Sequence, residues 1–337
     1  MSVTIKDIAK RANVSHTTVS RALNDSPLIN QETKDRIKAL AEQMNYTPNF
    51  SAKSLVLDRS YNVGLFFSTL ETGTSAGFFH DTVRGVNSVI KDEYNLVVKG
   101  IDDYAGGFPR ITRKSFDGII LMSQSEQDDA FIRYVTGIGI PLVVLNRELV
   151  GVKAANILSD ERKGAFRMTE YLIAMGHTRI AVLEGKAGFR SSQERLNGVK
   201  DALQANGLPF TPSYSVKGAY TMESGYKAMK KLLKAEPLPT AVFCFNDDMA
   251  VGAIRAIEEH GLRVPKDISV SGFDDNLFSG YLFPALTTVK RPIESISREG
   301  ASMLLRLMGR QEMPDDPVFM HTELVERESV RRIEQGE

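Results

Sequence analysis

The sequence predicts an α/β protein: an N-terminal all-α helix-turn-helix headpiece, then two doubly wound parallel-sheet subdomains. Three observations carry this. The first 45 or so residues hold only helical patterns. From Asn62 onward, strand-length apolar runs alternate with helical patterns, as in parallel sheets covered on both faces. Those runs fall into two groups of four, split near Ser159. With 337 residues, 42% of them hydrophobic, the chain can bury more than one core.

In order along the chain, Thr4 followed by Asp7 is a capping signal, and Ile5, Ile8, Ala9 and Ala12 share one helical face. "ANV" breaks that helix. Ser15 can cap a second, whose apolar side is Val19, Ala22 and Leu23. After "NDSPLI", Asn30 can cap a third, with Ile37, Leu40, Ala41 and Met44 inward. The short turn between the first two helices makes the pair a helix-turn-helix. "NYTPNFSAKSLVLDRSYN" (Asn45 to Asn62) is a connector in which Asn49 can cap one or two turns running to Leu57. So short a helix is marginal alone in water.

The strand-length runs are "NVGLFFS", "NLVVKGID", "DGIILMS" and "PLVVLNR", then "RIAVLEG", "YSVKGAY", "AVFCFND" and "ISVSGFDD". "LTTVKRP" and "VFMHTELVERES" read as later strands that complete the halves or cross between them. In such sheets ligands bind beyond the carboxyl ends of the strands. With two sheets facing one another, that place is the cleft between the halves.

Net charge is zero overall, yet residues 1–60 carry nine Lys/Arg against six Asp/Glu, so +3, a mild hint of a polyanion partner. The single cysteine, Cys244, sits in an apolar run and reads as inert packing. The charged start "MSVTIKDIAKRANV" is no signal peptide, and no stretch is apolar enough to span a membrane, so the expected location is cytoplasmic. "NVGLFFSTLETGTSAG" lacks the phosphate-binding glycine spacing, and no metal cluster or nucleophile–base set stands out among five histidines and one cysteine. The expectation is therefore a binding protein with no cofactor and no metal, not an enzyme.

The second helix is unusual in composition. "NVSHTTVSRALN" places His16, Thr17, Ser20, Arg21 and Asn24 on a polar face. Short Ser and Thr side chains permit close approach to DNA and can bond phosphates or either kind of base edge. Arg21 can read guanine with two parallel bonds. Spacing alone leaves this reading level with that of a merely solvated helix. In the connector, Ala52 and Leu55 share a face; Leu55 is either a minor-groove wedge or packing against the next domain.

"TIKDIAKRANVSHTTVSRALN…NYTPNFSAKSL" resembles the headpiece and hinge helix of the lactose/galactose repressor family of bacterial transcription regulators, without gaps. The resemblance continues through "GFFHDTVRGV", "DGIILMS", "AMGHTRIAVLEG", "QERLNGVKDAL", "CFNDDMAVGAIRAI" and "ISVSGFDDNLFS…LTTVKRP". It implies a homodimer on double-stranded, pseudo-palindromic operator DNA, with a core like type I periplasmic sugar-binding proteins. It also implies base reading by His16, Thr17 and Arg21, and phosphate contacts by Thr4, Ser15, Thr18, Ser20 and Asn24. Asn49 would start the hinge helix, Ala52 and Leu55 would enter the minor groove, and Lys53 would lie beside the backbone. A repressor of a carbohydrate-related operon follows, controlled by a sugar-like effector in the cleft. The alternative is a catabolite-control type regulator whose corepressor is a phosphocarrier protein.

For the effector, the resemblance carries over Arg195, Asp274 and Asn246 as polar clamps, and Phe78, Phe189 and Tyr220 as apolar faces in a chain without Trp. On residues alone, Arg195 can also pair with Asp201 or Glu194 on a helix surface, Asp247 and Asp248 can be a helix cap, and Phe78 and Phe189 can be core. Two departures stand out. "DYAGGFPRITRKSF" (103–116) is too short and glycine-rich for the helix relatives place there, and Asn146, also an expected effector residue, stands where many sugar-binding relatives have an acid. The expected division is 1–46 headpiece, 47–60 hinge and linker, 61–159 with 288–317 first core subdomain, and 160–287 with 318–337 second. Helices near 78–92 and 222–235 are the expected dimer contacts.

Overall fold

Residues 3–23, 25–46, 59–70, 74–104, 106–149, 151–152, 154–312 and 316–333 are described by the computed structural model. The chain divides into two compact units, Met1–Arg59 and Ser60–Glu337.

The first unit holds three helices, α1 (Ile5–Ala12), α2 (His16–Leu23) and α3 (Gln31–Gln43). The Asp7 carboxylate accepts from the Thr4 amide at 2.9 Å and its hydroxyl at 2.6 Å, which holds Asp7 below its ordinary value. Asn13 ends α1 in the left-handed region, φ 54°, a conformation asparagine tolerates better than branched residues. Ser15 Oγ accepts from the Thr18 amide at 3.0 Å, and Asn30 Oδ1 from that of Thr33 at 2.9 Å. Ile8, Val19, Ala22 and Ile37 are fully buried against one another, with Ala9 and Ala41 beside them. The apolar spacing thus turns one face of each helix inward.

The second unit holds two lobes. In the first, six parallel strands run in the order β11-β5-β4-β3-β1-β2: β1 (Asn62–Phe67), β2 (Asn95–Gly100), β3 (Gly118–Met122), β4 (Leu142–Leu145), β5 (Ala155–Ser159) and β11 (Val318–Met320). In the second, four parallel strands run β7-β6-β8-β9: β6 (Ile180–Glu184), β7 (Ser215–Lys217), β8 (Ala241–Cys244) and β9 (Ser269–Ser271). Helices α4 (Ala76–Ile90), α5 (Asp129–Gly137) and α10 (Ile293–Met308) cover the first sheet; α6 (Glu161–Ala174), α7 (Arg190–Ala205), α8 (Met222–Leu232) and α9 (Asp247–Glu259) cover the second. Both faces of each sheet are therefore buried, as continuous apolar runs require.

The chain crosses between lobes three times. The crossings are β5 into α6, β10 (Thr288–Lys290) into α10, and β11 into β12 (Glu323–Val325), where β10 and β12 form an antiparallel pair. Asp160 Oδ1 ties the first crossing to the third, accepting from the Thr322 amide and hydroxyl at 2.7 Å each.

Two findings depart from the sequence reading, and a third agrees with it. β5 is a fully buried strand that the reading left out; "ANILS" is a short run of only five residues with two polar ones in it. Val318–Met320 pairs with β5, so this part of 318–337 belongs to the first lobe, not the second. Between β2 and β3 the described residues hold one 3-10 turn, Asp102–Tyr104, and no full helix, as the short, glycine-rich stretch led us to expect. Tyr104 and Phe116 cover the sheet with aromatic rings instead: Phe66 lies 6.0 Å from Tyr104 and 5.5 Å from Phe116, ring centre to ring centre. No helix among the described residues is long and apolar enough to cross a membrane.

Candidate functional site

On α2, His16, Thr17 and Arg21 are exposed on the face opposite buried Val19 and Ala22. Ser20 and Thr18 are half-buried. Some of the hydroxyls around α2 serve its own fold: Ser15 caps it, and the Thr18 hydroxyl lies 2.9 Å from Ser15 Oγ. Thr4 likewise caps α1. That leaves an exposed imidazole, hydroxyl and guanidinium on one helix, a set able to bond base edges and phosphates. Asn24, Asn49, Ala52, Lys53 and Leu55 lie outside the described residues.

In the core unit, strand order reverses at β1/β3 in one sheet and at β6/β8 in the other. A small cavity of about 30 Å³ sits between the lobes, lined by Ser75, Phe78, Gln124, Asn146, Ser191, Arg195, Tyr220, Asn246, Asp274 and Arg291. Most of these follow a strand's carboxyl end: Gln124 after β3, Asn146 after β4, Tyr220 after β7, Asn246 after β8, Asp274 after β9 and Arg291 after β10. This is where doubly wound sheets place ligands. Asn146 (φ 74°), Tyr220 (φ 63°) and Asp274 (φ 116°) all have left-handed backbones, a strain that persists where the surroundings over-determine it.

Four charges form the floor. Arg195, 2% exposed, donates from Nε to Glu161 Oε2 at 2.7 Å, from Nη1 to the Phe245 carbonyl, and from Nη2 to Asp274 Oδ1 at 3.5 Å. Its guanidinium stacks 3.8 Å from the Phe273 ring centre. Arg291 Nη2 lies 2.7 Å from Glu161 Oε1, and its Nη1 3.3 Å from Asp274 Oδ1. Burial alone would raise the Glu161 carboxyl, but Arg195, Arg291 and the Ser159 hydroxyl at 2.5 Å outweigh it and the net direction is down. For Asp274 burial wins over the same two arginines, and its carboxyl is raised. Glu161 keeps both guanidiniums in place and in balance.

Six of the seven expected effector residues line this cavity: Phe78, Asn146, Arg195, Tyr220, Asn246 and Asp274. The seventh, Phe189, does not; it is buried in the second lobe's core, 6.1 Å from the Tyr220 ring, and borders a separate groove. The surface pairing of Arg195 with Asp201 or Glu194 is also replaced: Asp201 bonds Arg162, and Glu194 pairs with Arg190. Asn246, not an aspartate, caps α9, accepting from the Met249 amide at 3.0 Å. Asp247 is instead fully buried, accepting from Thr288 Oγ1 at 2.6 Å, Ser279 Oγ at 2.7 Å and the Asn276 amide at 2.7 Å. The sequence reading left out Ser75, Gln124, Ser191, Arg291 and Glu161. Gln124 and Arg291 were within reach of the strand-end rule, since Gln124 follows "DGIILMS" and Arg291 lies near the end of "LTTVKRP". Glu161 acts only through contacts that the crossings create.

The model for bacterial regulatory proteins of the lacI family matches residues 4–49, and that for the periplasmic binding protein-like domain matches residues 169–330. The chain is 54% identical over 331 residues to the probable HTH-type transcriptional repressor ExuR of Bacillus subtilis (strain 168), spanning 98% of this chain and 99% of that protein. Among solved structures, the lac repressor dimer bound to operator and the anti-inducer ONPF matches with a TM-score of 0.82 and 27% identity, over 98% of this chain and 100% of that one. The complex of the transcriptional regulator CelR with cellobiose matches with a TM-score of 0.71 and 28% identity, over 97% and 99%. The chain therefore belongs to the lacI family of bacterial regulatory proteins: it is a DNA-binding transcription regulator and not an enzyme.

Proposed function

We propose that this protein is a cytoplasmic, homodimeric repressor of a metabolic operon, released from or fixed to its operator by a small polyhydroxylated effector held between the two lobes. The observation that carries this reading is the convergence of amide, hydroxyl, guanidinium and carboxylate groups from both lobes on one cavity, beside the rings of Phe78 and Tyr220. Bidentate polar partners and an apolar face are what a sugar-like ligand needs. A relative of the same architecture has been solved with cellobiose, and another as a dimer on operator DNA. Base reading falls to His16, Thr17 and Arg21, with Ser20 and Thr18 nearer the backbone. Asn24, Asn49, Ala52, Lys53 and Leu55 keep the roles that the family resemblance gives them.

The test measures operator binding by fluorescence anisotropy while sugars, sugar acids and sugar phosphates are titrated in turn. At least one compound should shift the affinity some 5- to 150-fold, the range of ordinary allosteric coupling. A protein that prefers its palindrome but answers to none of them would remove the effector half of the proposal. Arg21→Ala should cost about 1–3 kcal/mol of operator affinity and relax base preference at one position of each half-site. An unchanged sequence preference would remove Arg21 from the reading set.

A further inference from the structure

We propose that Asn146 and Arg291 form a latch that holds the cleft closed on itself, and that the effector acts by displacing it; this rests on the cleft reading above. Asn146 follows β4 in the first lobe and is fixed there by its Nδ2, which donates to the Ser123 carbonyl at 3.0 Å. Its Oδ1 accepts from Arg291 Nη2. Arg291 lies on the second crossing, and its other terminal nitrogen donates to Asp274 of the second lobe at 3.3 Å. One guanidinium thus holds an amide of one lobe and a carboxylate of the other, with Glu161 of the first crossing pinning it between them. Arg291 is 8% exposed, so these bonds are made out of water, where charge-assisted hydrogen bonds are strongest.

Two further observations point to a ligand that competes with this arrangement. About 30 Å³ is room for a water or two, whereas organic ligands occupy pockets of roughly 300–1,000 Å³, so an effector seated at this spot must push its lining apart. Arg291 Nε is also a buried donor with no hydrogen-bond partner. A ligand oxygen placed there gains the bond that the guanidinium lacks, and other ligand groups can take over the Asn146 amide. An asparagine at 146 suits this role: a neutral amide grips Arg291 by one carbonyl oxygen, which a ligand replaces without leaving a buried charge behind.

The cleft carries its own reporter. The Arg190 amide, in the second lobe, donates across the gap to the Gln124 carbonyl in the first at 2.9 Å. Native-state hydrogen exchange on the full-length protein, with no ligand added, reads how often that bond opens. Asn146→Ala should speed exchange at Arg190 roughly 10- to 100-fold, the value of a buried bond to a charged group. The amides of Val182 and Val242, inside the second sheet, should keep their rates. Arg291→Gln should also speed exchange at Arg190, and adding it to Asn146→Ala should give less than the product of the two effects, because both break one bond. Unchanged exchange at Arg190 in Asn146→Ala overturns the latch, as does an equal rise at Val182 and Val242. Multiplicative single effects overturn it too. If Arg291→Gln does not fold, Asn146→Ala decides alone, since it leaves every charge in place. None of these readings depends on an effector, so a failed latch and a failed effector proposal give different results.

Discussion

Asp247 sits at the most heavily loaded point of the second lobe. It opens α9, yet its carboxylate faces inward to two hydroxyls and an amide, and it is completely buried. Burial, then repulsion from Asp274, raises it from 3.8 to about 7, and burial likewise raises Asp248 to about 6. The folded protein therefore keeps a proton that the unfolded chain has released. That contribution is complete below about pH 4 and is lost as pH rises through 7. His177 works in the opposite sense: burial lowers it from 6.5 to about 4, so its contribution is lost as pH falls from 6.5 toward 4. Asp247→Asn keeps the shape and abolishes the titration. Thermal melts should show the variant close to the native protein at pH 4 and several degrees more stable at pH 8, at ~2–4 °C per kcal/mol for a large domain. Equal differences at both pH values would show that Asp247 does not titrate in the folded state. None of this was legible in "FNDDMA": the sequence suggests a helix cap, and only the loop carrying Asn276 and Ser279, folding back over α9, turns Asp247 into a buried acid.

Elements were more legible than residues. The three headpiece helices follow from cap residues and apolar spacing, because local rules fix both. α8 and α9 needed more. Their contact depends on Gly225, where an added Cβ would strike the Met249 backbone, and on Gly252, where it would strike the backbone at Met222 and Tyr226. A glycine on a helix face reads from sequence as a weak spot in the helix; here it lets two backbones meet. Gly252→Val should cost about 1–3 kcal/mol through overpacking, read from urea unfolding of the full chain. Valine is the better helix former, so no loss of stability, or a gain, would mean that the helices separate freely. The absent helix between β2 and β3 was foreseen, but not what replaces it. The ring cluster around Phe66 is built by Tyr104, Phe116 and Phe131, which lie far apart in sequence.

At the scale of the whole molecule, most large apolar side chains are inside, and the exceptions are informative. Leu277, Tyr281 and Phe283 are 86%, 84% and 93% exposed within one short stretch of the second lobe. Apolar side chains exposed along one stretch are where a protein contact is expected. A second copy of the chain is the partner that the proposed palindrome reading requires. Tyr281→Asp with Phe283→Asp should weaken self-association at least tenfold by sedimentation, and operator affinity should fall with it. A double variant that stays dimeric would place the contact elsewhere, α4 and α8 being the regions first expected. The threefold passage between lobes has a further consequence. Neither lobe is an unbroken length of polypeptide, so no single break in the gene yields either one whole. Swapping sensing halves between relatives would demand three matched splices at once, and a protease that nicks one strap leaves both pieces still tied together.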